Sequence, residues 1–107
     1  MFTRIVELTT KPGKNKLLAD TIDEKVLPIL KKQKGFVDET VLISDKDDNR
    51  VLGLSFWNTK EDAEQYHRAD YSKVQETLRP FLDAEPVIRT FEVHTSTTHR
   101  IAAGKAA

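Results

Sequence analysis

The chain has 107 residues, enough for one domain with a core of its own and too few for two of typical size. Its 17 basic and 17 acidic side chains cancel, so no overall field draws it to nucleic acid or to an anionic membrane, and recognition has to come from local shape. With no cysteine it has no disulfide, thiolate metal site or cysteine nucleophile, which agrees with a reducing compartment.

Residues 2–10 (FTRIVELTT) are rich in aromatic and β-branched side chains and run into Pro12-Gly13, the pattern of a strand ended by a turn. No apolar stretch suited to a signal peptide or a membrane span precedes them, and a cytoplasmic location is expected. From Lys14 the period changes. Leu17, Leu18, Ile22, Val26, Ile29 and Leu30 recur at three- and four-residue steps, giving an amphipathic helix. Pro28 lies inside that pattern and cannot donate the intrahelical hydrogen bond, which predicts a kink or break near Lys25. Lys31, Lys32 and Lys34 followed by Gly35 mark the helix end, where positive charge complements the dipole and glycine takes up the left-handed turn.

Residues 36–44 (FVDETVLIS) and 50–58 (RVLGLSFWN) flank the polar turn-former segment DKDDN and read as a hairpin. Thr59 offers an N-cap hydroxyl and Asp62 stands three residues on, so a second helix begins at Lys60. Its helical period runs through Ala63, Tyr66, His67, Tyr71, Val74 and Leu78 to about Leu82, with Asp70 placed to cap a second segment and Pro80 to end it early. Residues 86–96 form a last strand. Residues 97–107 (TTHRIAAGKAA) carry few large apolar groups and read as a flexible tail or an arm laid on a partner, leaving 1–96 as the folded domain.

The order βαββαβ, with right-handed crossovers, gives an α+β, ferredoxin-like fold: a four-stranded antiparallel sheet with both helices on one face. Along the third strand Val51, Gly53, Ser55 and Trp57 point one way and Leu52, Leu54 and Phe56 the other. Both faces are apolar and the helices cover only one. The other therefore calls for a second sheet, most economically from a second copy packed about a two-fold axis into a dimeric α+β barrel. On the Trp57 face, the small Gly53 and Ser55 leave space beside the indole, either a ligand cleft between sheet and helices or room filled by helix leucines such as Leu17 or Leu78.

The stretches VELTTKPGK (residues 6–14), KKQKGF (31–36) and FWNTKEDAEQYH (56–67) resemble the antibiotic biosynthesis monooxygenase (ABM) domains of the dimeric α+β barrel superfamily. The resemblance implies a homodimer with a ligand cleft near Trp57. One branch of that family oxidises phenolic polyketides to quinones with oxygen and without metal or flavin. It carries an asparagine four residues before the tryptophan and a tyrosine six after it, where this chain has Gly53 and Ala63. A haem-degrading branch needs a histidine on the second helix, and residues 73–78 (KVQETL) hold none. The chain is most similar to small quinol-oxidising or stress-linked members, many of which carry a histidine where His67 stands.

Among single residues, Trp57 can present an aromatic face and one N–H donor, and His67 is the candidate general base for a phenolic or quinol proton. Plain core packing and a surface histidine are the competing readings. Tyr66 and Tyr71 are five residues apart on a helical period, so only one, Tyr71, is expected to reach the cleft, alongside Ser55 and Gly53. Arg4, Glu7, Arg89, Glu92 and His94 are charges within strand patterns, expected at solvated or paired positions, with Arg89 the one placed to meet an anionic ligand. The histidines at 67, 94 and 99 make no short-range metal pattern, so no metal is expected; no phosphate loop or serine elbow supports a nucleotide or hydrolase reading, and the resemblance implies no other cofactor. Two functions follow: a cofactor-independent monooxygenase-like homodimer acting on a small aromatic or quinol substrate, or a non-catalytic, stress-responsive dimer binding a small molecule in the same cleft.

Overall fold

A computed structural model describes residues 1–101. In chain order it contains β1 (Phe2–Thr9), α1 (Asn15–Thr21), a π-helical turn (Ile22–Val26), α2 (Leu27–Lys31), β2 (Phe36–Ile43) and β3 (Arg50–Trp57). These are followed by α3 (Lys60–Ala69), α4 (Tyr71–Leu78), a 3-10 turn (Arg79–Phe81) and β4 (Val87–Glu92). The strands form one antiparallel sheet in the order β2-β3-β1-β4, the ferredoxin-like arrangement read from the sequence. Among the described residues no helix is long and apolar enough to cross a membrane.

The expected break before Pro28 takes a specific form. Proline has no N–H for the carbonyl four residues back, and its ring crowds that carbonyl. The chain answers by widening one turn: the Leu27 N–H reaches the Ile22 carbonyl, five residues back, and the helix then resumes. Ile22 and Val26, at the two ends of this turn, are both buried. Gly35 follows at φ 79°, and a Cβ there would collide with the Asp62 side chain, so the end of α2 and the start of α3 are fitted to a glycine. Thr59 caps α3 as expected, its Oγ1 accepting from the Asp62 N–H at 3.1 Å. At Asp70 the helix stops and restarts as α4, with Asp70 at φ −132°.

Sheet register sets the two faces. Phe2, Leu8, Val51 and Trp57 point to the helices and pack with Leu18, Leu30, Val74 and Leu78, forming the core. The opposite face carries Ile5, Leu52, Leu54 and Phe56, with Leu42, Val87 and Phe91 about half exposed. Residues 97–101, read as part of a tail, lie against the chain's own sheet on this face. Ser96 and Ile101 exchange backbone hydrogen bonds, and the His99 ring lies 4.8 Å from Phe56 with Nε2 2.8 Å from Asp38 Oδ2. The rest of that segment, 102–107, falls outside the described residues.

Candidate functional site

One register row crosses the helix-covered face of the sheet: Glu39 on β2, Ser55 on β3, Arg4 on β1 and Thr90 on β4. Neighbouring strands stand about 4.8 Å apart, so Glu39 and Arg4 begin roughly 10 Å from each other with a small serine between them. Above this row lies a cavity of about 50 Å³. Arg4, Glu39, Gly53 and Ser55 line it from the sheet, Tyr66 and Tyr71 from the helices, and Ile22, Val26, Val74 and Leu78 complete an aliphatic wall. A space between sheet and helices is thus present beside Gly53 and Ser55, but it does not reach the Trp57 indole that it was expected to flank. It is small beside the roughly 150 Å³ of a cavity that takes up benzene, so an aromatic ring enters only as wall side chains turn aside.

Arg4 was missed by the sequence reading, which placed it among solvated or edge-paired charges. It is only 5% exposed, and its guanidinium lies 4.5 Å from the Tyr71 ring centroid and 5.6 Å from that of Tyr66. Nη2 has no hydrogen-bond partner among the described residues. Desolvation lowers its pKa, against the stabilising pull of Tyr66 and Tyr71. The available signal was parity: Phe2, Arg4, Val6 and Leu8 alternate onto one face, which puts a charge in an apolar row. Glu39 was missed for the same reason, sharing its face with Val41.

Both tyrosines reach the cavity, where at most one was expected. Five residues on one straight helix turn two side chains well apart, but the break at Asp70 resets the phase between α3 and α4. The rings stand edge to face, 6.4 Å apart. Burial raises the pKa of both hydroxyls, opposed in each case by Arg4, so both are neutral at physiological pH.

Trp57, the sequence's first aromatic candidate, does not border the cavity. It is fully buried, stacked on Tyr66 at 5.3 Å with Phe36 edge-on at 5.6 Å, and its Nε1 already donates to Ser55 Oγ at 2.9 Å. Its donor is thus used internally, and its part is to hold Tyr66 and Ser55 in place. His67 is exposed and stands outside the cavity, stacked on Tyr71 at 5.0 Å. It borders an outer groove of about 330 Å³ together with Phe2, Arg4, Ala63 and Thr90. Desolvation and then the Arg4 charge lower its pKa, so the imidazole is neutral at pH 7. Arg89 is on the wrong face: it pairs across β1 with Ile5, is more than half exposed, and approaches Glu7 at 3.8 Å. Leu17 is exposed and fills nothing, whereas Leu78 forms part of the cavity wall. Among the described residues no group of His, Cys, Asp and Glu is placed to hold a metal ion.

Burial, and secondarily Asp23, raises the Glu39 pKa from 4.5 to about 7. A carboxyl raised on folding disfavours the fold once it must ionise, so stability is full below about pH 4.5 and declines as pH rises to about 7. The full shift corresponds to about 3 kcal/mol, and solvent screening at this half-buried position reduces it to about 1–2 kcal/mol. Denaturant titrations across pH 4–8 are expected to show that decline in the native protein and a flatter profile in Glu39→Gln. Equal slopes in the two proteins would remove Glu39 as its source.

The model of the family described as antibiotic biosynthesis monooxygenase matches residues 1–78. The chain belongs to this family. Among curated proteins none matches it. Solved structures share its fold at low identity. ActVA-Orf6, a monooxygenase of Streptomyces coelicolor solved with nanaomycin D, is 19% identical over 89% of this chain and 88% of its own, with a TM-score of 0.77. SnoaB, a cofactor-independent oxygenase from Streptomyces nogalater, is 16% identical over 90% of this chain and 95% of its own, at 0.73. A conserved protein from Methanosarcina mazei Go1 is 22% identical over 85% of this chain and 91% of its own, at 0.69. In this ABM chain the cavity carries two charged groups, Arg4 and Glu39, together with the polar Ser55, Tyr66, Tyr71 and Gln75.

Proposed function

We propose that this ABM-family protein is a cofactor-independent oxygenase of a small hydroxyaromatic or quinol substrate, bound between sheet and helices. The observation that carries the reading is the cavity itself, walled by Tyr66, Tyr71 and aliphatic side chains and bearing Glu39 at its sheet side. In monooxygenation of a phenol, one atom of O₂ enters the ring and the other leaves as water. The four electrons come from the substrate, which becomes a quinone. The protein's task is to take the substrate hydroxyl's proton and exclude bulk water. Glu39, with a pKa of about 7, is matched to accept that proton inside the cavity. His67, the base expected from sequence, borders the outer groove and in this reading exchanges protons with solvent there. Gly53, Ser55 and Tyr71 shape the substrate space, and Trp57 positions Ser55 and Tyr66.

The working unit in this reading is a homodimer, cytoplasmic, with Ile5, Leu52, Leu54, Val87 and Phe91 buried between two sheets. Light scattering at micromolar concentration is expected to give the dimer mass, and a monomer mass would overturn it. The chemistry is tested by oxygen uptake with a panel of quinols and hydroxyaromatics. Uptake stoichiometric with substrate and strongly reduced in Glu39→Gln supports the oxygenase. Quenching of Trp57 by these compounds with no uptake identifies a non-catalytic binding protein, the reading favoured by Gly53 and Ala63.

A further inference from the structure

Among the described residues Arg4 is a buried cation that forms no ion pair, and its Nη2 has no hydrogen-bond partner. Glu7, three residues on along β1, is turned by strand alternation to the other face, where it pairs with Arg50 at 2.8 Å and Arg89 at 3.8 Å. The row neighbours of Arg4 are Ser55 and Thr90, neither of them charged. Two tyrosine ring faces compensate a guanidinium far less than a carboxylate does, and an uncompensated buried charge is costly. Such an arrangement gives little to the empty protein and much to a complex that brings the anion.

Arg4 also borders both spaces at once, the inner cavity of about 50 Å³ and the outer groove of about 330 Å³. In the groove, Lys60 and Arg68 both lie within 4 Å of Glu64, at 3.8 and 3.9 Å, so their charge is partly neutralised. Among the residues lining the groove Arg4 is the buried cation, next to Phe2 and to His67, which stacks on Tyr71, whereas Lys60 and Arg68 are exposed.

We propose that Arg4 anchors the carboxylate of an aromatic acid arriving through the outer groove, and that its guanidinium divides groove from cavity until the ligand draws it aside. A planar fork of two N–H donors fits a carboxylate, and a single buried cation balances a monoanion. The surrounding rings select an aromatic body. The proposal deepens the functional reading and rests on it: the substrate becomes a hydroxyaryl carboxylate, its acid on Arg4 and its hydroxyl toward Glu39.

The test compares 1-naphthoate with the neutral, similarly shaped 1-naphthamide, by calorimetry and by quenching of Trp57. The wild-type protein is expected to bind the acid roughly tenfold or more tightly than the amide, as a charge-assisted pair requires. Arg4→Met is expected to lose that preference. Arg89→Gln, which removes the same charge from the opposite face, is expected to keep it. Equal binding of acid and amide by the wild type, or a preference that survives in Arg4→Met, overturns the inference while leaving an aromatic site in place. Binding of neither compound overturns it together with the functional reading. Should Arg4→Met fail to fold, the wild-type comparison decides alone.

Discussion

Trp57→Ala is expected to lower the unfolding free energy by about 3–5 kcal/mol, the range for deleting a large buried aromatic. The indole is fully buried and touches three elements of the fold: Phe36 at the start of β2, Tyr66 on α3 and Ser55 on its own strand. Removing it opens a cavity, unstacks Tyr66 and frees the Ser55 hydroxyl. Against a typical total of about 5–15 kcal/mol this is a large share, and the melting temperature should drop by more than about 10 °C. Trp57→Phe keeps a ring and loses the donor, so it should cost less, about 1–2 kcal/mol. Because Trp57 does not border the cavity and a phenyl ring keeps the stack that holds Tyr66, Trp57→Phe is also expected to keep ligand affinity within about twofold, a change of under 0.5 kcal/mol. Thermal melts and binding isotherms on the same samples check both statements. A Trp57→Ala protein within 1 kcal/mol of wild type would show that the packing of the indole has been overrated, and a Trp57→Phe protein that folds but no longer binds would return Trp57 to the site.

The fold was legible because its signals are periodic. Two-residue alternation in β3 separated Val51, Gly53, Ser55 and Trp57 from Leu52, Leu54 and Phe56, and the register keeps these groups on opposite faces. Pro28 announced a break, and the π-helical turn is where the chain absorbs it. The site was less legible because its decisive residues break the habits of their types. A charged strand residue is ordinarily exposed, and Arg4 is buried only because Ser55 opposite it is small and two tyrosines fold over it. Those tyrosines meet it because of a helix break whose effect on phase is set by the Asp70 backbone, which spacing alone does not give. Arg89 shows the converse. Strand alternation puts it on the same face as Phe91, but which face the helices cover is a tertiary fact, and β1 is the strand that reveals it. The C-terminal segment to residue 101 was read as lacking anchors, since His99 is neither large nor apolar. It is held by a polar contact to Asp38 and a ring contact to Phe56, neither visible in composition.

Gly53 offers the sharpest separation of function from stability. Its φ lies outside the left-handed region, and a Cβ built there meets nothing within 4 Å, so a side chain fits without strain. Glycine inside a strand costs about 0.5–1 kcal/mol relative to alanine, and Gly53→Ala should therefore stabilise the protein by about that amount. Gly53→Val adds a β-branched side chain suited to a strand and pushes apolar volume into the lined space, so stability should hold or rise further. A substitution that stabilises the fold yet impairs the site is what a glycine that leaves room at a functional cavity implies. With only about 50 Å³ available, the valine methyls occupy room that a ring must enter, and affinity for aromatic ligands should fall by roughly tenfold or more, a difference of about 1.4 kcal/mol. Oxygen uptake should fall in parallel. Ligand titrations and melts of wild type, Gly53→Ala and Gly53→Val are expected to run in opposite directions along the series. If Gly53→Val binds and turns over as the wild type does, the ligand lies elsewhere, and the outer groove beside His67 becomes the place to look.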